Sequence, residues 1–473
     1  MSLPRRRALR GPGFRHLAAL LALVAMATSC ATLQPSGRPP ASGGTPPSGA
    51  TPAGPGAPGP APKPLRLERE PAIDVGLAWD LGALALEPSS GATLARERGN
   101  DRSTAVAGLG PISVRGGPGG LRADWRGGRG RWALAPGETL IVRGSRPASP
   151  DDPFRIRWNG KTWRGEFRVF TNPRGTLTLA ARLPLETYLL GVVPGEIGAL
   201  ADDLLEAGRA QAIAARSYTL FYRGRRAAEG FDLYGTVEDQ LYGPTESERP
   251  LATRCVETTR GRLALSGGQP IRANYCSTCG GITAEVWEAW PAASMAYLVS
   301  HPDRGSGDFC AASPQYRWRE EWTAATFTAT LARFAPAQGV GLPAGGVGDL
   351  VDVRVGGRSR SGRVWRLTVV TTKGEITIPA YSIRQVLRRP GNGSGNGSGT
   401  GPGTAILRSN LFKVDVRRDP ATRRALAVVV SGAGSGHGVG LCQTGALGMA
   451  RAGRSAEAIL EHYYRGVELR RLY

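Results

Sequence analysis

Acidic side chains are in short supply in this sequence: 38 Asp and Glu stand against 60 Lys and Arg, for a formal charge of +22. Such an imbalance suits a polyanionic partner, whether nucleic acid, anionic lipid or the acidic polymers of a cell wall. The basic residues are scattered, and no long basic run is interleaved with aromatics, so no nucleic-acid partner is expected. The apolar run near the start, Leu17 to Ala27, falls well short of the roughly 20 residues that a membrane-spanning helix needs.

That short run has another reading. It follows Arg5, Arg6, Arg7, Arg10 and Arg15 and precedes Thr28-Ser29-Cys30, the order of a basic n-region, an apolar h-region and a cleavage site. Small residues before a cysteine resemble a lipobox, in which Cys30 is lipidated and becomes the mature N-terminus. The resemblance departs at Ala27, where Leu is usual, and an ordinary signal peptide cut nearby is the other reading. Residues 1–30 are therefore expected to direct export, with the mature chain a membrane-anchored lipoprotein facing the periplasm or cell wall. Residues 31–66 are dominated by Pro, Gly, Ser, Thr and Ala, which cannot bury a core and read as a disordered tether.

Residues 67–180 read as a small β-rich domain. Short apolar or alternating runs at 72–78, 139–142, 154–158, 162–170 and 176–180 are separated by Gly, Pro and Asn turns. Trp125, Trp132, Trp158 and Trp163 are its candidate core. From 181 to 473 the pattern is mixed. A long helix is expected from about 201 to 223, with Asp202 and Asp203 in its first turn and Arg223, Arg225 and Arg226 at its end, as the macrodipole prefers. Strands are expected at 262–266, 271–276, 351–356, 364–371, 375–379, 413–416 and 426–431, and a short helix at 455–464. The Gly/Asn/Ser-rich stretch 390–403 reads as a disordered insertion. The fold class is α+β.

Four blocks in the second region carry chemistry. The first runs from Leu183-Pro184-Leu185-Glu186-Thr187-Tyr188 through Val193-Pro194-Gly195-Glu196 to Ala210-Gln211-Ala212-Ile213-Ala214-Ala215-Arg216-Ser217-Tyr218. The second is Tyr275-Cys276-Ser277-Thr278-Cys279-Gly280-Gly281 with Glu285-Val286-Trp287. The third is Tyr297-Leu298-Val299-Ser300-His301-Pro302-Asp303. The fourth is Gly436-His437-Gly438-Val439-Gly440-Leu441-Cys442-Gln443-Thr444-Gly445-Ala446, followed by Ile459-Leu460-Glu461-His462-Tyr463-Tyr464. Together and in this order they resemble the SpoIID/LytB family of peptidoglycan-acting proteins, over roughly residues 183–472.

That resemblance implies a SpoIID-like catalytic domain with a cleft, and a single catalytic glutamate, Glu196 by position. The implied activity is that of a lytic transglycosylase, which cleaves MurNAc–GlcNAc β-1,4 bonds and leaves 1,6-anhydro-MurNAc ends. One carboxyl group suffices, because it first protonates the leaving oxygen and then deprotonates the substrate's own C6 hydroxyl, the nucleophile. Glu196 must then begin protonated near neutral pH, which requires an apolar setting. Without the resemblance, Glu196 reads as a surface residue in the turn before the long helix. His437, Ser277, Thr278, Gly280, Gly281, Gln211, Arg216 and Gln443 are the expected substrate-binding residues, with Gln211 and Arg216 either facing Glu196 or acting as structural anchors.

Cys255, Cys276, Cys279, Cys310 and Cys442 follow Cys30, an odd number that leaves at least one free thiol. In an exported protein a disulfide is the default, and Cys279–Cys310 is the expected pair, with Cys442 reduced and buried. No cofactor is then needed. Zinc bound by Cys255, Cys276, Cys279 and Cys310 stays open, since Cys276-Ser277-Thr278-Cys279 has ligand-like spacing. Two other function classes also stay open. One is a non-catalytic glycan-binding enhancer of an N-acetylmuramoyl-L-alanine amidase; the other is a structural wall-anchoring lipoprotein. The expected partners are peptidoglycan glycan strands, stripped of stem peptides if the resemblance to SpoIID holds that far, the membrane through a lipid anchor, and a cell-wall amidase.

Overall fold

The computed structural model describes residues 64–99, 101–108, 110–125, 128–145, 154–390 and 402–473. The signal peptide, Cys30, the tether up to residue 63 and most of the 390–403 insertion lie outside the described residues. Two sheets form the N-terminal part. One has seven strands in the order 233–234, 72–81, 177–184, 166–171, 139–144, 92–98, 101–108; the other has six, in the order 161–164, 155–158, 83–88, 112–117, 120–125, 130–134. Alternation drives their packing: Leu84 and Leu86 turn inward from 83–88 while Ala83 and Ala85 stay exposed. Ile73, Leu86, Leu94, Ile112, Leu140 and Phe167, all fully buried, meet in one core. Of the four tryptophans expected there, Trp125 is buried, and Trp132 packs against it edge-on at 5.3 Å between ring centroids.

Strand 177–184 pairs antiparallel with 72–81 and runs straight into helix α1, Leu185–Ile197. Tyr188, Val192 and Val193 of α1 join the same core as the sheets. Helix α2, Leu205–Tyr222, follows a single 3-10 turn at Asp202–Leu204, close to the span that the charge pattern sets. It is buried on almost every side, as its run of alanines allows. A Cβ at Gly208 would fall 2.6 Å from the Cys255 sulfur, so glycine there lets helix α3, Pro250–Thr258, pack closely.

The chain then builds a second core that the sequence reading did not separate from the rest of 181–473. Helix α4, Ala324–Phe334, and helix α5, Ala380–Val386, pack on strands 317–323, 350–355, 366–371, 374–379, 412–418 and 425–433 around Trp322, Phe327, Leu367, Ile376 and Val428. Strand 317–323 enters this unit and strand 425–433 leaves it, paired antiparallel with Arg317 opposite Ala433. Both ends therefore meet at one place, the geometry of an insertion. Beyond it, Leu441–Cys442 pairs in parallel with Tyr275–Cys276, and helices α6, Gln443–Arg451, and α7, Ala456–Tyr463, pack back on α2. Among the described residues no helix is long and apolar enough to cross a membrane.

Candidate active site

Glu196 lies in the last turn of α1, one element earlier than the turn before the long helix. Two glycines set its surroundings. A Cβ at Gly191 would sit 2.6 Å from the Gly243 carbonyl oxygen, and one at Gly195 would sit 3.1 Å from that of Leu241. Four residues apart, they lie on one face of α1 and let segment 241–243 run against it, with the Gly243 N–H donating to the Gly191 carbonyl at 3.1 Å. That contact brings the Leu241 N–H to Glu196 Oε1, at 2.8 Å. On the other side the Gln443 side-chain amide donates to Oε2 at 3.3 Å, from the first residue of α6. The Tyr275 hydroxyl is a third donor.

The carboxyl is half-buried, beside the exposed Gly195. Burial raises it above the ordinary glutamate value, and the Leu241, Gln443 and Tyr275 donors offset only part of that rise. The negative end of the α1 dipole acts in the same sense as burial. Tyr275 is held in turn: Gln240 Nε2 donates to its hydroxyl at 3.0 Å, and the Gln240 carbonyl oxygen accepts from Thr219 Oγ1 at 2.7 Å and the Tyr188 hydroxyl at 3.3 Å. Burial and the nearby Glu196 charge push the Tyr275 phenol well up, so it stays a donor. Gln240 and Leu241 are site residues that sequence reasoning missed. They sit in an irregular segment with no periodicity, and only the fold carries them to Glu196.

Of the expected substrate-binding residues, Gln443 alone contacts Glu196 among the described hydrogen bonds. His437 does not reach it. The imidazole lies tilted on Trp290 with centroids 4.7 Å apart, and its Nδ1 accepts from the Val439 N–H at 3.0 Å. Burial, with Arg384 and Arg363 nearby, pulls the imidazole down to about 3, so it is neutral, while a hydrogen bond to the Tyr275 backbone acts the other way. The imidazole thus lies beside the strand that carries Tyr275, with its Nδ1 taken up within its own loop. Ser277 is exposed, and its carbonyl accepts from the Thr444 N–H at 3.0 Å and hydroxyl at 2.8 Å. Thr278 is buried, 2.7 Å from Ser313 Oγ.

Gly280 and Gly281, at φ 86° and 100°, shape the loop rather than offering side chains; a Cβ on the latter would meet Asp308. Gln211 is fully buried inside the helical layer. Arg216 turns away from Glu196: its Nε and Nη2 donate to Glu186 at 2.9 and 2.6 Å, and Nη1 donates to the Arg262 carbonyl at 3.0 Å. Its guanidinium is fully buried, and that pair holds the Glu186 carboxyl below its ordinary value despite the burial that opposes it.

Cys279 and Cys310 are neighbours, but as free thiols with sulfurs 3.7 Å apart. Cys255 sits under α2, bonded to the Leu205 carbonyl, and Cys276 is likewise outside this cluster. The zinc set Cys255, Cys276, Cys279 and Cys310 is therefore not assembled. Asp303 and Cys442 stand with Cys279 and Cys310 instead.

Comparison with known proteins bears on this site directly. The profile of the SpoIID family, described as Stage II sporulation protein, matches residues 173–265, the span that holds Glu196, Arg216 and Gln240. Stage II sporulation protein D of Bacillus subtilis is 27% identical over 302 residues, 61% of this chain and 74% of that protein. Residues 173–265 thus carry a SpoIID domain. Other relatives extend the match. The amidase enhancer of Bacillus subtilis is 25% identical over 324 residues, 59% of this chain and 40% of that protein. An uncharacterized protein of Brachyspira hyodysenteriae is 24% identical over 318 residues, 66% of this chain and 73% of that protein. A domain of unknown function matches 303–440 and so contains the inserted unit. The SpoIID match and these relatives support a cell-wall-related role.

Proposed function

We propose that this protein is a peptidoglycan lytic transglycosylase in which Glu196 is both general acid and general base. The observation that carries the reading is the setting of that carboxyl group. It is half-buried, raised in pKa, and held by a backbone N–H, an amide and a phenol, with no second carboxylate among its described partners. Hydrolysing glycosidases use two carboxyl groups, one of them to activate water or attack the sugar. A lone acid suits a reaction whose nucleophile belongs to the substrate.

In the first half, the Glu196 proton passes to the glycosidic oxygen between MurNAc and GlcNAc as the bond from that oxygen to the MurNAc anomeric carbon breaks. GlcNAc leaves carrying the new hydroxyl. In the second half the Glu196 carboxylate takes the proton of the MurNAc C6 hydroxyl, whose oxygen bonds to the anomeric carbon and closes the 1,6-anhydro ring. Leu241, Gln443 and Tyr275 stabilise the carboxylate between the two halves and fix its direction. In this reading the first thirty residues direct export and Cys30 anchors the chain to the membrane, with the tether letting the cleft reach the wall.

The similarity to an amidase enhancer favours one alternative, a glycan-binding role that stimulates an N-acetylmuramoyl-L-alanine amidase without cleavage. Digestion of purified glycan in water enriched in oxygen-18 tests the chemistry. Products whose new ends carry no label are expected, because ring closure uses an oxygen already in the sugar. Labelled reducing ends would show hydrolysis, and an absence of new ends would favour the enhancer.

A further inference from the structure

We propose that Cys279, Asp303, Cys310 and Cys442 form a tetrahedral site for one zinc ion, apart from the Glu196 carboxyl. Each residue supplies one donor atom, and the four atoms all lie within 4.8 Å of one another. The Cys279 and Cys310 sulfurs are 3.7 Å apart. Zinc–thiolate bonds of about 2.3 Å at tetrahedral angles place two sulfurs roughly 3.8 Å apart, whereas a disulfide needs about 2.05 Å. The spacing is that of two ligands of one ion.

The surroundings fit a metal as well. All four residues are fully buried. Asp303 Oδ2 meets only the Cys279 thiol, at 3.0 Å, and that carboxylate has no Lys or Arg ion pair among the described residues. Its other oxygen is fixed by the Tyr463 hydroxyl at 2.8 Å and by His462 Nε2 at 3.1 Å, the outer bonds that orient a ligating carboxylate. The Cys279 and Gly445 N–H groups point at the Cys442 sulfur at 3.2 and 3.3 Å, stabilising a thiolate. Arg363 donates to the Cys279 carbonyl at 3.0 Å and brings positive charge beside the sulfurs. With three sulfurs and one carboxylate oxygen, the donor set suits zinc.

The position gives the ion a task. Asp303 and Cys310 precede the inserted unit, Cys442 follows it, and Cys279 comes from the loop after strand 275–276. One ion would clamp both ends of the insertion to the strand that carries Tyr275 and to the helix that carries Gln443.

The test is elemental analysis and thiol titration on the full chain, exported by its host and purified without chelator. One zinc per chain is expected, with Cys279, Cys310 and Cys442 resisting alkylation until a strong chelator removes the metal. Cys442→Ser should lose the zinc, and Cys255→Ser should keep it. Should Cys442→Ser fail to fold, cobalt substitution of the wild type supplies the second readout: intense sulfur-to-cobalt charge-transfer bands are expected. Iron in place of zinc, a Cys279–Cys310 disulfide in non-reducing peptide maps, or freely alkylating thiols without metal would each overturn the proposal.

Discussion

The Glu196 carboxyl gives up solvation on folding, and its three hydrogen-bond donors return only part of it. Its folded-state pKa therefore lies above the unfolded value, which for glutamate is about 4.3. Below that value the group is neutral in both states and the effect vanishes. As pH rises through it, ionisation favours the unfolded chain, and the cost grows until the folded pKa is passed. Glu196→Gln removes this cost. The difference in melting temperature between variant and wild type is expected to shift in the variant's favour from about pH 3 to pH 7. Thermal unfolding at the two pH values measures it, and a shift the other way would mean that the carboxylate is stabilised by its site. At this scale the motif blocks pointed to Glu196 and Gln443, whereas Gln240 and the Leu241 N–H were not legible, because their roles arise from a backbone path. Arg216 and His437 were legible as important polar residues but not in their contacts. A buried Arg paired to Glu186 looks in sequence like a group that faces a ligand.

Helix α1 positions the acid through two glycines, and this can be probed directly. A methyl group at residue 191 would press on backbone at Gly243 and on the Tyr242 ring, both hard to displace, whereas one at residue 195 meets Leu241 at a tolerable distance. Gly191→Ala is expected to destabilise the protein by about 1–3 kcal/mol, the usual cost of overpacking, and to lower cleavage at least about 10-fold through the displaced Leu241 N–H. Gly195→Ala should do less of both. Unfolding curves and cleavage rates on the two variants decide it, and equal effects would detach the glycine spacing from the site. Long α2 was readable from its end charges and its small residues, and strands such as 262–266 and 374–379 from alternation. Helix α1 was not, because Gly191, Pro194 and Gly195 are poor helix formers and tertiary packing overrides their propensity. Strands 83–88 and 120–125 were also missed.

Across the whole molecule, the mixed α+β class was visible in the succession of patterns, but the second core was not. Strands 350–355 and 366–371 have the same alternation as strands of the first core, and periodicity does not tell which core a strand joins. The antiparallel meeting of 317–323 with 425–433 reveals the insertion only in three dimensions. The excess of basic side chains and the SpoIID match over 173–265 support the proposal that the substrate is a polymer of the cell wall. Mass spectrometry of purified glycan strands digested in parallel by the wild type and by Glu196→Gln tests that account most directly. It predicts 1,6-anhydro-MurNAc ends from the wild type and none from the variant, with glycan binding retained by both; anhydro ends in equal yield from the two proteins would contradict it.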